Sequence, residues 1–279
     1  MRLDRVNIPR LAGVMHVLRR CALSGVIAVT TLTLGCGDKA APPPEGAIVF
    51  QLSARHPVAA DTGVPFVAAD SVVAQGRDTI FLRRVRLVLA ELAISPSQAN
   101  GCEEEEGEED KPHCVEFDMQ PVALDLPLER AVVRRATRPA PVTEYNLFQA
   151  VVHRPDAAVD TAFLAANPEF AGVTIRADGV FSHAGARRDF SYMTDWSERQ
   201  EIAIDPPVVV AVGESLHVTL RVDVASWFRQ ADGKALVDPA TAGRGGPHEA
   251  LVRDNIRTSL KVFRDGNGDG LEDAAPPVQ

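Results

Sequence analysis

The sequence predicts a mainly β domain, an antiparallel β-sandwich with one C-terminal helix and a short internal helix. Three observations carry this. Short apolar runs of β-forming residues recur with turn residues between them, long helices between those runs are missing, and helical periodicity is sustained only near the C-terminus.

The strands follow in order. Ile48-Val-Phe-Gln-Leu52 opens the domain, and Val85, Leu87 and Leu89 alternate with Arg84, Arg86 and Val88 up to an irregularity near Glu91. Leu124 and Leu126 continue the pattern, and Tyr145 to His153 is an apolar run rich in β-formers. Asp160 stands where it can cap a short helix over Thr161–Ala166. Val173–Ala177 and Asp189–Met193 read as strands flanking a turn at Ala184-Gly-Ala186. The clearest alternation is Leu216 to Val224, with five apolar residues on one face and His217, Thr219, Arg221 and Asp223 on a face expected to be wet. Glu249 to Phe263 reads as the one substantial helix, with Val252, Ile256, Leu260 and Phe263 on a single stripe. Trp227-Phe228 reads as a core plug, while Trp196 is better placed to line a surface site.

Ahead of the domain, five arginines against one acid in residues 1–20 precede an apolar run from Cys21 to Gly35, too short for a membrane span of ~20 residues. The run stops at Thr33-Leu-Gly-Cys36, which resembles a bacterial lipobox. That resemblance implies a signal peptide over residues 1–35 and a diacyl lipid on Cys36, although Thr33 departs from the usual branched aliphatic residue. An ordinary secretory peptide or an uncleaved anchor are the alternatives. Residues 36–46 read as a proline-rich tether, residues 47–264 as the sandwich domain, and residues 265–279 as an acidic loop with a disordered tail. Removing the leader takes away five arginines and one aspartate, so the formal charge falls from −9 to about −13. Such a surface makes nucleic acid a poor partner.

With Cys21 removed and Cys36 lipidated, Cys102 and Cys114 remain as a pair, and export makes them a predicted disulfide at the base of an insertion, residues 102–114. Closing that loop is worth roughly 3 kcal/mol in the chain-entropy model. Seven carboxylates fall within Glu103–Asp110, which reads first as a solvated hairpin tip, because consecutive glutamates lack the spacing that encloses an ion, with a low-affinity sponge for divalent cations as the alternative.

The most specific chemical motif is Asp265-Gly-Asn-Gly-Asp-Gly-Leu-Glu-Asp273. Side-chain oxygens of Asp265, Asn267 and Asp269, the carbonyl of Leu271 and the carboxylate of Asp273 have the spacing of a calcium loop, with Gly270 at the sharp turn. Pro276 replaces the bidentate glutamate of an EF-hand, so the segment is more similar to thrombospondin type 3 and dockerin calcium repeats, here in one copy. The motif predicts a weak Ca²⁺ site.

Phe170–Phe181, Glu201–Pro207, Val222–Phe228, Val237-Asp-Pro239, Asn255-Ile256 and Phe263–Gly270, with Val142-Thr-Glu-Tyr145, together resemble a group of uncharacterised bacterial lipoproteins with exported domains of unknown function. This implies an immunoglobulin/transthyretin-like sandwich and no particular reaction. A more distant likeness to periplasmic copper-binding partner proteins points to Trp196 with His183. Enzyme templates fail: Gly213-Glu-Ser-Leu-His217 lacks the second glycine of a nucleophile elbow, and His248-Glu249 lacks the second histidine of a zinc protease. The expected function is therefore a non-catalytic, lipid-anchored cell-envelope protein that binds an envelope protein or glycan. A metal-handling lipoprotein (calcium or copper) is the alternative, and a hydrolase follows it.

Overall fold

The structure, a computed structural model, describes residues 45–54, 71–96, 114–128 and 132–273. Two sheets pack face to face with strand as the dominant element, as the sequence predicts. The smaller sheet has the order β12-β11-β1-β6, from β1 (Glu45–Ser53), β6 (Val132–Pro141), β11 (Ser215–Val222) and β12 (Leu260–Arg264). One feature departs from an antiparallel sandwich: β1 and β11 run parallel, with Gln51 opposite Thr219 and Ser53 opposite Arg221.

The larger sheet is organised on β3 (Asp78–Pro96). Its first half pairs with β8 (Ile175–His183) and its second half with β7 (Glu144–Val152). Three short strands also pair with β3: β2 (Ser71–Gln75), β5 (Val122–Asp125) and β4 (Val115–Asp118). A strand this long must bend to follow the core. It does so where the pairing slips around Leu82–Arg84 and again at Glu91, whose φ is 52°. β9 (Ala186–Thr194) extends the sheet beyond β8, and β10 (Glu198–Val209) lies beyond β7.

Alternation places Ile48, Phe50 and Leu52 of β1 and Leu216, Val218, Leu220 and Val222 of β11 in the core. Phe50 joins the layers, stacking on Phe117 of β4 at 5.2 Å and on Phe148 of β7 at 5.7 Å between ring centroids. Trp227 and Phe228 plug the core as expected. Tyr192 and Phe190 meet the Phe228 ring edge-on, and the Trp227 indole N–H donates to Ser259 Oγ at 2.9 Å.

Two α-helices are present among the described residues. The short α1 (Thr161–Ala166) sits where predicted, but Asp160 makes no capping hydrogen bond to it. The C-terminal helix is shorter than expected. α2 covers Glu249–Thr258, and Leu260, expected to continue its stripe, opens β12 instead. The Leu-Lys-Val pattern alternates as well as it spirals, and pairing covers the β11 edge, which a further helical turn would leave open. Val262 then faces the core, while Phe263 turns to the other face of the sheet, under Arg221 at 5.0 Å.

Candidate functional site

Gln51, Ser53, Thr219 and Arg221 alternate with the core residues of β1 and β11, so they lie on the outward face of the small sheet. All four are nevertheless buried. The cause is the calcium-like loop. After β12 the chain turns at Asp265, whose amide donates to the His217 carbonyl at 3.1 Å, and residues 265–273 lie over the polar positions of β1 and β11.

Asp265 is the centre of this arrangement and is fully buried. Its Oδ1 accepts from the Asp269 amide at 3.0 Å, and its Oδ2 accepts from the Gly270 amide at 2.9 Å and from the Thr219 hydroxyl at 2.9 Å. The Thr219 hydroxyl also lies 3.1 Å from Gln51 Oε1, but its single proton is better spent on the charged oxygen. Three hydrogen-bond donors offset the cost of burying this carboxyl group. Gly270 is held at φ 77°, and a Cβ there would meet Ser53 Oγ at 2.6 Å and Val132 at 2.9 Å. Only glycine fits that turn.

The five predicted ligand residues thus share one loop, and their side chains brace it. Asn267 Oδ1 accepts from the Asp269 amide, Asp269 Oδ1 from the Leu271 amide at 2.7 Å, and Asp273 Oδ2 from the Gly266 amide at 2.7 Å. These Asx turns direct successive carboxyl groups into one tight bend. Among the described residues no three His, Cys, Asp or Glu side chains gather at metal-holding distance. The donor set of carboxylate, side-chain amide and backbone carbonyl oxygens is still the chemistry that suits a hard cation.

Sequence reasoning missed Gln51, Ser53 and Thr219 as partners of this loop. The available signal was that polar residues alternate on two strands that turn out to be neighbours. The other predicted positions fare differently. Cys36 and Cys102 lie outside the described residues, as does the acidic run Glu103–Asp110, and Cys114 stands immediately before β4. Trp196 and His183 are not brought together. They lie at opposite ends of the β8–β9 hairpin, where His183 pairs with Ala186 and Ile175 with Thr194, so about 26 Å of strand separates them. His183 bonds to Asp78 at 2.6 Å, while the Trp196 indole donates to Glu198.

A second polar centre lies where β7 and β8 meet. His153 Nε2 contacts Asp160 Oδ2 at 2.8 Å, and the Asp156 amide donates to the same oxygen at 2.7 Å. Burial alone would raise the Asp160 pKa, but these bonds outweigh it and hold the carboxyl below its usual value. The pair fastens the loop that leads from β7 into α1. Nearby, Arg86 pairs with Glu169 and lies over the Phe170 ring. Compared with known protein families, curated proteins and solved structures, the chain shows no match.

Proposed function

We propose that this chain is a non-catalytic, lipid-anchored module of the bacterial cell envelope, similar to the exported lipoproteins of unknown function. In this reading its sandwich presents a binding surface to an envelope protein or glycan. Its C-terminal loop is a weak calcium site of the thrombospondin type 3 or dockerin kind. The observation that carries the reading is the seating of Asp265: a calcium-type loop is fastened to the fold through a buried carboxylate, so an ion held by Asp265, Asn267, Asp269, Leu271 and Asp273 would act on the stability of the whole small sheet. When bound, calcium would neutralise the carboxylate charge gathered in this loop. Export also supports the Cys102–Cys114 bridge, which would join residues 102 and 114 at the foot of β4.

Calorimetric titration of the mature protein tests the metal site. Calcium should bind at ~0.1–1 mM, as in extracellular modules, and Asp269→Ala should abolish the heat. Equal heats in both proteins, or none in either, would refute the site. Tightly held copper in purified protein would instead favour the metal-handling alternative.

A further inference from the structure

We infer that the sandwich rests on the bilayer through the end at which its tether arrives, and that the surface it meets is zwitterionic lipid. The inference builds on the lipid-anchor reading of Cys36 given above. The first described strand begins at Glu45, nine residues after that cysteine, and nine residues span at most about 30 Å fully extended. In that reading the start of β1 lies within that reach of the lipid-bearing cysteine.

Pairing fixes what surrounds this point. Glu45 pairs with Pro141 at the end of β6, and its carbonyl accepts from the Gly213 amide in the β10–β11 turn. Val209, at the end of β10, pairs with Glu144 at the start of β7. Two turns, 141–144 and 209–215, therefore frame the start of β1. Among the eight exposed large hydrophobic residues described in the chain, three fall in these turns: Val142 at 38 %, Val209 at 61 % and Val212 at 66 % exposure. Single exposed valines are ordinary on a protein surface, but three around the start of β1 make an apolar rim at the end where the tether joins the domain.

Affinity does not need to be high. A link this short sets a high local concentration, so contacts too weak to recruit a free domain still orient a tethered one. The headgroup preference follows from charge. Glu45, Glu144 and Glu214 are exposed at the same end. This end would be repelled by anionic lipid and tolerated by zwitterionic lipid.

The test uses the full-length protein, expressed with its own leader and reconstituted into vesicles of brominated phosphatidylcholine, with Val209→Trp, Val212→Trp and Val159→Trp variants. Val159, 79 % exposed in the turn before α1, reports a surface away from the tether. Mass spectrometry of Cys36 reads the anchor separately from the quenching. With lipid on Cys36, quenching at positions 209 and 212 should exceed that at 159 several-fold, and replacing half the lipid with brominated phosphatidylglycerol should reduce it. Equal quenching at all three positions in a lipid-modified protein would overturn the orientation while leaving the anchor intact. Stronger quenching on the anionic vesicles would overturn the headgroup assignment. An unmodified Cys36 would overturn both the anchor and the inference.

Discussion

Replacing Asp265 by alanine should destabilise the domain by about 3 kcal/mol. The substitution removes one carboxylate and strands three donors: the amides of Asp269 and Gly270 and the Thr219 hydroxyl. A buried donor left without a partner costs about 1–3 kcal/mol. The Gly270 amide is buried and has no replacement in the loop, so it carries the larger share. Thr219 can fall back on Gln51 at 3.1 Å, and the Asp269 amide on Asn267 at 3.0 Å, which keeps their shares near the lower limit. Asp265→Asn retains one acceptor oxygen and should cost about half as much. Urea denaturation of the mature protein, followed by circular dichroism in the presence of chelator, measures both variants. Pairing Asp265→Ala with Thr219→Val in a double-mutant cycle should give a coupling of about 1 kcal/mol. A loss below 0.5 kcal/mol for Asp265→Ala would show that the loop is not fastened to the sheet by this group.

Other expectations follow from the same geometry. Gly270→Ala should cost more than 2 kcal/mol, because it combines a positive φ with a clash against Ser53, whereas Gly268→Ala, also at positive φ but with open space around it, should cost about 1 kcal/mol in the same assay. The chain has two tyrosines, and burial raises both: Tyr145 to about 12 and Tyr192 further still. Their stabilising contribution is complete below pH 10, where unfolded tyrosine is neutral, and is lost as pH rises through the folded values. Ultraviolet titration at pH 10.5 should therefore show almost no phenolate in the native protein, where an exposed tyrosine would be about three-quarters ionised. Substantial phenolate absorbance without unfolding would refute that burial. At the acid end, Asp160, Glu169 and Asp178 have lowered pKa values, so their contribution is present above the unfolded values of 3.8 to 4.5 and is lost as pH falls through the folded ones. Asp160→Asn should make stability fall less steeply below pH 4, and an unchanged slope would remove the His153–Asp160 pair from the account.

Much of the sandwich was legible because its strands bury one face and alternate cleanly. β1, β7, β11 and the β8–β9 hairpin follow directly from their apolar spacing, and the irregularity near Glu91 appears as a real break in pairing. Strands with mostly exposed faces were missed. β6 carries Arg134, Arg135 and Arg138 at the edge of the small sheet, where charge and proline protect an open edge, so its composition hides its conformation. The helix-to-strand change at Ser259 was missed because Leu260, Val262 and Phe263 satisfy both periods, and only the presence of β11 decides between them. At the site, the ligand-type spacing was visible along the loop, but its seat was not. Gln51 and Thr219 are far apart in sequence and become neighbours through a parallel pairing that no local pattern announces. The loop that covers these paired strands turns a face expected to be wet into a buried polar layer.

Hydrogen exchange at the Gly270 amide tests the central claim most directly, because that one proton reports both the seat on Asp265 and the effect of calcium. In chelator it should be protected to nearly the same degree as the β11 amides. At 10 mM calcium, ten times a ~1 mM dissociation constant, it should slow by a further factor of about ten. Exchange at the rate of an open chain, or a rate indifferent to calcium, would contradict the account.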